Sequence, residues 1–250
     1  MLEYAKLYAP FKPTPVTPAP TPPVSLAHQP RIGIDESGKG DYFGPLVIAA
    51  AYVDAKIEPD LRLLNVRDSK KIADGRILEL ARDIKLLCPH ALIAIGPRKY
   101  NELYAKIRNL NRLLAWGHAR ALENLLEQVP CHIAIADQFG DERFVLNALM
   151  EKGRQIRLVQ QPRAEGDLAV AAASILARAE FLIRLDRLSH DIGTALPKGA
   201  SPAVELAGKM VMKKRGREGL ETVAKLHFKT TRAVLGEHPS DQSDSPASSS

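Results

Sequence analysis

IGIDESGKGDYFGPLVIAAAYV, residues 32–53, is the stretch that decides the fold. A short apolar run closes on two acids, Asp35 and Glu36. A turn framed by glycine follows, Ser37-Gly38-Lys39-Gly40-Asp41, and Tyr42-Phe43-Gly44-Pro45 leads into a second apolar run, Leu46 to Val53. The pattern predicts strand, tight turn, strand, with carboxylates at the mouth of the turn. Glycine lets the backbone take positive φ and lets a ligand approach the main chain. Adjacent acids on a strand end beside such a turn suit cation-assisted chemistry on phosphates. The same letters also fit a plain hairpin whose acids and lysine keep it in water.

Working outward, residues 1–30 hold eight prolines and read as an extended, disordered arm. Residues 236–250 are rich in Ser, Pro and Asp and read as a disordered tail. The folded body is expected over residues 31–235. In it Asp74 is expected to cap a helix to about Leu87, with Ile77, Leu80, Ala81 and Ile84 on one face. Ala91 to Ile95 reads as a buried strand. Asn109 or Asn111 caps a long helix through Leu126. His132 to Ala136 is a strand ending in Asp137-Gln138-Phe139, Glu142 to Lys152 is helical, and Ile156 to Val159 is a strand. Asp167 opens an alanine-rich helix to about Leu188, and Ser201-Pro202 starts another. Alternation after the hairpin predicts an α/β protein, a mixed sheet flanked by helices, with further helices at the C-terminal end.

The chain is 45% hydrophobic, enough for a sizeable core. Cys88 and Cys131 lie far apart and read as buried thiols in a reducing compartment. No run reaches the roughly 18 apolar residues of a membrane span, and no signal peptide opens the sequence, so a cytoplasmic protein without membrane contact is expected. The formal charge is +6, and the acidic tail makes the body more basic than the whole. A basic body around acidic motifs suits a polyanion handled through metal ions.

Asp35 and Glu36 end the first strand, Asp137 ends a later one, and Glu165 and Asp167 precede the alanine-rich helix. Singly, each is an ordinary loop acid, and Asp167 is most simply a helix cap. Together they make the ligand set of a two-metal phosphodiester site, because hard divalent cations take carboxylate oxygens and two ions clamp the attacking and leaving oxygens.

DESGKGDYFGP at residues 35–45 resembles the opening motif of type 2 ribonucleases H, and DYFGP resembles the ribonuclease HIII branch. Asp68-Ser69-Lys70 matches the family's DSK, residues 109–122 resemble its central helix, and Asp137-Gln138-Phe139 matches its DQF. RAEGDLAVAAASILAR at 163–178, LPKGA at 196–200 and VAKLHF at 223–228 resemble later motifs. The resemblance spans residues 31 to about 232. It implies a ribonuclease H-like fold that cuts the RNA strand of RNA–DNA hybrids with Mg²⁺ or Mn²⁺, leaving 3′-hydroxyl and 5′-phosphate ends. Carried over by motif, Asp35, Glu36, Asp137 and Glu165 are the catalytic metal ligands, with Asp167 the rival for the fourth place. Backbone groups of Gly38, Lys39 and Gly40 would read the 2′-hydroxyl. Lys70, Asn109, Asn111 and Ser174 would contact the substrate; their plainer readings are a surface lysine, helix caps and a packing serine. A monomer is expected.

Two departures stand out. The HIII branch usually opens with a folded substrate-binding domain where this sequence has its proline-rich arm, so hybrid affinity is expected either to come from the basic body or to be weaker. The HII branch carries a Gly-Tyr pair where this sequence reads Lys198-Gly199-Ala200, so efficient cutting at a single embedded ribonucleotide is not expected. Two other functions fit parts of the sequence. One is a hybrid-binding module without catalysis, against which all four acids stand. The other is a P-loop-like nucleotide hydrolase, since residues 33–40 read G-x-x-x-x-G-K-G; Gly40 stands where the Mg²⁺-binding hydroxyl belongs.

Overall fold

The computed structural model describes residues 28–137, 143–149 and 152–236. The expectations for the arm up to residue 27, for the tail from 237, for Gln138 and Phe139, and for a helix start at Glu142 lie outside the described residues. The described residues fall into two compact units built from interleaved segments: those within 28–37, 47–94 and 103–182 form the first, and those within 38–46, 95–102 and 183–236 the second.

The first unit holds a five-stranded sheet in the order β3-β2-β1-β4-β5. The strands are β1 (Arg31–Ser37), β2 (Leu46–Val53), β3 (His90–Ile95), β4 (Ile133–Asp137) and β5 (Arg157–Gln161). β1 runs antiparallel to β2 and parallel to β4, and β4 runs parallel to β5. The sheet is therefore mixed, as the alternation of elements predicted. The opening hairpin is present, with Gly38 at φ 86° beginning its turn. That turn leads into a strand, whereas a P-loop must lead into a helix whose N-terminus faces the phosphate. The nucleotide-hydrolase reading falls on this point.

The helices of this unit are α1 (Glu58–Leu63), α2 (Asp74–Leu87), α4 (Leu110–Leu126), α5 (Arg143–Ala148) and the first part of α6 (Leu168–Ile192), with α3 (Pro97–Ile107) entering it from Leu103. The expected face of α2 is buried: Ile77, Leu80, Ala81 and Ile84. Asp74 does not cap it. Ala73 holds the cap position, and the Asp74 carboxylate, on the first turn, accepts instead from the Arg178 guanidinium at 3.2 Å. α1 and α3 were not anticipated, and α5 is shorter than expected.

Two glycines set the spacing of helices on the sheet. A Cβ on Gly33 of β1 would lie 2.0 Å from the backbone of Ala169, so the start of α6 lies directly on the strand. A Cβ on Gly117 of α4 would meet the Ile48 side chain of β2 at 2.6 Å. Gly33 and Ile48 point to opposite sheet faces, since Ile48 pairs with Glu36 and side chains alternate along β1. α6 thus covers one face and α4 the other.

The second unit is organised around residues 41–44. Tyr42 and Phe43 are fully buried, and Phe43 bridges Ala224. Its helices are the start of α3, the end of α6, α7 (Pro202–Val223) and α8 (Thr230–Leu235). Pro202 takes the tolerated first position of α7 as expected. Gly216, at φ 64°, kinks this helix. Burial pulls the Lys225 amine down to about 7, against the pull of Asp41. Among the described residues no helix is long and apolar enough to cross a membrane.

Candidate active site

The parallel register of β1 and β4 sets Ile34 beside Ala136, so the next residues, Asp35 and Asp137, stand side by side. Neighbouring strands lie about 4.8 Å apart, and register partners in a parallel pair point to the same face. For these two acids that is the α6 face, because Gly33 and Ile135 precede them by two residues and both meet the α6 side: Gly33 lies against Ala169, and Ile135 packs with Ala164 and Val170. Asp35 is held there by a hydrogen bond with Ser174 of α6. Burial and the adjacent Glu36 charge push its carboxyl up to about 7, against the pull of Ser174, the Glu36 N–H and Lys70. A carboxylate this costly to charge is suited to gaining a divalent cation.

Glu36 points to the opposite face. Its carboxylate lies 3.1 Å from Nε2 of His118, a fully buried residue of α4. The sheet therefore divides the expected four acids: Asp35 and Asp137 share one face, and Glu36 leaves the strand end on the other.

The third acidic segment comes from the connection between β5 and α6. β5 ends at Gln161, beside Asp137, and a 3-10 turn, Ala164–Gly166, follows. Arg163, at φ 59°, enters that turn through the left-handed region. Ala164 is buried against Ile135, two residues before Asp137, which fixes the turn carrying Glu165 against β4. The half-buried Glu165 and Asp167 differ in their partners. Asp167 spends both oxygens: Oδ1 accepts from Ala169 N–H at 2.8 Å, capping α6, and Oδ2 accepts from Arg31 Nε at 2.6 Å. Among the described residues no three His, Cys, Asp or Glu side chains form a preformed metal cage; the acids stand at the ends of β1 and β4 and on the turn after β5.

The other expected site residues fall into three groups. Lys70 is exposed on a 3-10 turn, Ser69–Lys71, close enough to Asp35 to pull its carboxyl down. Ser174 is buried, and its hydroxyl lies 2.6 Å from that of Ser69, so it links Asp35 to the Asp68-Ser69-Lys70 segment. Asn109 caps α4, accepting from Arg112 N–H at 3.1 Å, while Asn111 lies half-buried in the first turn of that helix. In the second unit, Asp41 N–H donates to the Gly38 carbonyl at 3.3 Å and closes the turn over Lys39 and Gly40. Gly40 is exposed. Sequence reading missed His118. A histidine within an apolar helix face resembles a packing residue until its partner, 82 residues away, is known.

Comparisons with known proteins bear on the family and the fold. Residues 32–231 match the family model described as Ribonuclease HII. Ribonuclease HIII of Protochlamydia amoebophila (strain UWE25) is 52% identical over 217 residues, 87% of this chain and 71% of that protein. Ribonuclease HIII of Chlamydia pneumoniae is 48% identical over 205 residues, 81% of this chain and 69% of that protein. Among solved structures, Bst-RNase HIII in complex with Mn²⁺ superposes with a TM-score of 0.80 at 38% identity, covering 85% of this chain and 71% of that one.

Proposed function

As a member of the ribonuclease HII family, on its ribonuclease HIII branch, this chain is a metal-dependent endoribonuclease of RNA–DNA hybrids, and we propose that it cuts at a two-ion site built on Asp35, Glu36, Asp137 and Glu165. The observation that carries the site is the pairing of Asp35 with Asp137 at the ends of adjacent parallel strands, on one face, with the Asp35 carboxyl raised to about 7. Mg²⁺ or Mn²⁺ bound there supplies Lewis acidity and a nucleophilic water for phosphodiester hydrolysis, giving 3′-hydroxyl and 5′-phosphate ends.

The chain's own residues position the reaction. Ser174 aims Asp35, and His118 holds Glu36. Glu165, rather than Asp167, is the fourth ligand, supported by the commitment of both Asp167 oxygens to α6 and Arg31. Lys70 meets phosphate; Asn109 and Asn111, at the head of α4, and Ser174 are further substrate contacts. The backbone of Gly38, Lys39 and Gly40 reads the 2′-hydroxyl, the group that separates RNA from DNA. Residues 31–235 act as the catalytic domain, in a cytoplasmic monomer. The two free, buried cysteines support a reducing compartment.

Cleavage mapping tests this reading on three duplexes: a continuous hybrid, one with four embedded ribonucleotides, and one with a single ribonucleotide. With Mg²⁺ or Mn²⁺ the first two are cut in the RNA, the third poorly, and none without metal. Tight hybrid binding without metal-dependent cleavage would instead favour a binding module.

A further inference from the structure

Lys225 is fully buried, yet it belongs to none of the roles above. Its ammonium donates to the carbonyls of Asp41 at 2.8 Å and Gly44 at 2.7 Å, and lies 3.4 Å from that of Phe43. Its own N–H donates to the Tyr42 carbonyl at 2.8 Å. The other side of the same four residues is held too. Tyr42 N–H donates to the Gly199 carbonyl, Gly44 N–H to the Val223 carbonyl, and Gly199 N–H to the Asp41 carboxylate at 2.7 Å. Asn101 braces the segment that carries the lysine, donating to the Ala224 carbonyl and accepting from Leu226 N–H, both at 2.9 Å. Residues 41–44 directly follow the Gly38-Lys39-Gly40 turn, and Asp41 N–H closes that turn.

A buried cation aimed at backbone carbonyls orients peptide planes, because each carbonyl loses its favourable contact if it rotates away. Methylene packing alone needs no ammonium. We propose that Lys225 is a positioning residue for substrate selection: it fixes the peptide planes leaving the glycine turn, and so sets how strictly the turn demands a 2′-hydroxyl. This rests on the reading of the turn given under Proposed function.

The test compares wild type, Lys225→Met, Asn101→Ala and Val211→Ala, the last a buried residue of α7 outside this network. Each is assayed on a continuous hybrid and on the same duplex with 2′-fluoro groups replacing the RNA hydroxyls, with thermal melting and amide exchange alongside. Lys225→Met is expected to lower the hydroxyl-to-fluoro ratio of kcat/KM at least tenfold and to speed exchange at Tyr42 and Gly44. Asn101→Ala is expected to move both in the same direction by less, and it carries the test if Lys225→Met does not fold. Val211→Ala is expected to lower melting without moving the ratio. An unchanged ratio in Lys225→Met and Asn101→Ala, with melting lowered as in Val211→Ala, would overturn the proposal and leave Lys225 a structural residue. A wild type that cuts both duplexes equally overturns it as well, with the nuclease reading intact. A wild type that cuts neither defeats the nuclease reading itself, a result the exchange data separate from loss of the tether.

Discussion

The two ends of β1 handle buried charge in opposite ways. At the start of the strand, Arg31 is buried and meets Glu58 at 2.8 Å, Asp167 at 2.6 Å and the Gln29 carbonyl at 2.9 Å. Burial raises the Glu58 carboxyl, but the hydrogen bonds from Arg31 and the His28 N–H outweigh it and hold it low. At the far end, Asp35 and Glu36 are adjacent acids, and the Asp35 carboxyl is driven up to about 7. One end is electrically closed and serves stability. The other sets two acids side by side, where burial and the Glu36 charge raise the Asp35 carboxyl, a cost that a bound cation would relieve.

The sharpest way to break this contrast is to remove charge from the open end. Asp35→Asn, Asp137→Asn and Glu165→Gln should each cost about a thousandfold or more in cleavage with Mg²⁺, since each loses several kcal/mol of metal-borne transition-state stabilisation. Hybrid binding should stay measurable and folding intact. Near-normal turnover by Asp137→Asn would remove β4 from the site.

Removing charge from the closed end should do the reverse. Arg31→Met leaves the buried Glu58 and the half-buried Asp167 without their cation and should lower stability by about 3–5 kcal/mol in urea unfolding. The protein that remains folded should cut within a few-fold of wild type. A large loss of turnover in folded protein would mean that Asp167, not Glu165, is the ligand.

How far the sequence carried this contrast depended on whether a residue's partner was local. The hairpin, the buried face of α2 and the Asn109 cap follow from spacing over a few residues, and all are present. α1 buries only Glu58 and Leu61 over six residues, too few to show a period. Asp74 was misread because a first-turn acid looks like a cap when its true partner, Arg178, is 104 residues away. In the site, acids on strand ends were legible because strand ends are. That Glu36 faces away from Asp35 was equally implied by alternation, but its meaning needed His118. Lys225 was invisible for the same reason, with carbonyl partners more than 180 residues distant.

A smaller effect should come from His118. His118→Ala should raise the Mg²⁺ needed for half-maximal cleavage by about tenfold, the usual cost of losing a group that orients a metal ligand. His118→Gln, which keeps a donor, should recover part of it. An unchanged Mg²⁺ requirement in both would leave His118 as core packing.

The smallest expected effect sharpens the comparison through pH. Without metal, the folded protein holds the Asp35 proton up to about 7, whereas the unfolded chain releases it near 4. The folded state binds more protons across that window, so this group's contribution to stability falls as pH rises from about 4 to 7. Asp35→Asn should therefore melt a few degrees above wild type at pH 7.5, and the gap should shrink at pH 4.5. Mg²⁺ should narrow the gap at pH 7.5 by stabilising wild type alone. A gap that ignores both pH and Mg²⁺ would show that the open end is not strained by charge.

Gly33 makes the distance between two machine parts depend on a missing methyl group. The strand that carries Asp35 and the helix that follows Glu165 meet backbone to backbone at this residue. An alanine there has no flexible neighbour to push aside, so the whole start of α6 must lift. The acids would all remain, correctly spelled, on parts that no longer register. Variation in this family member is thus limited by a position with no chemistry of its own, and a library that spared only the acids would still lose the enzyme at residue 33.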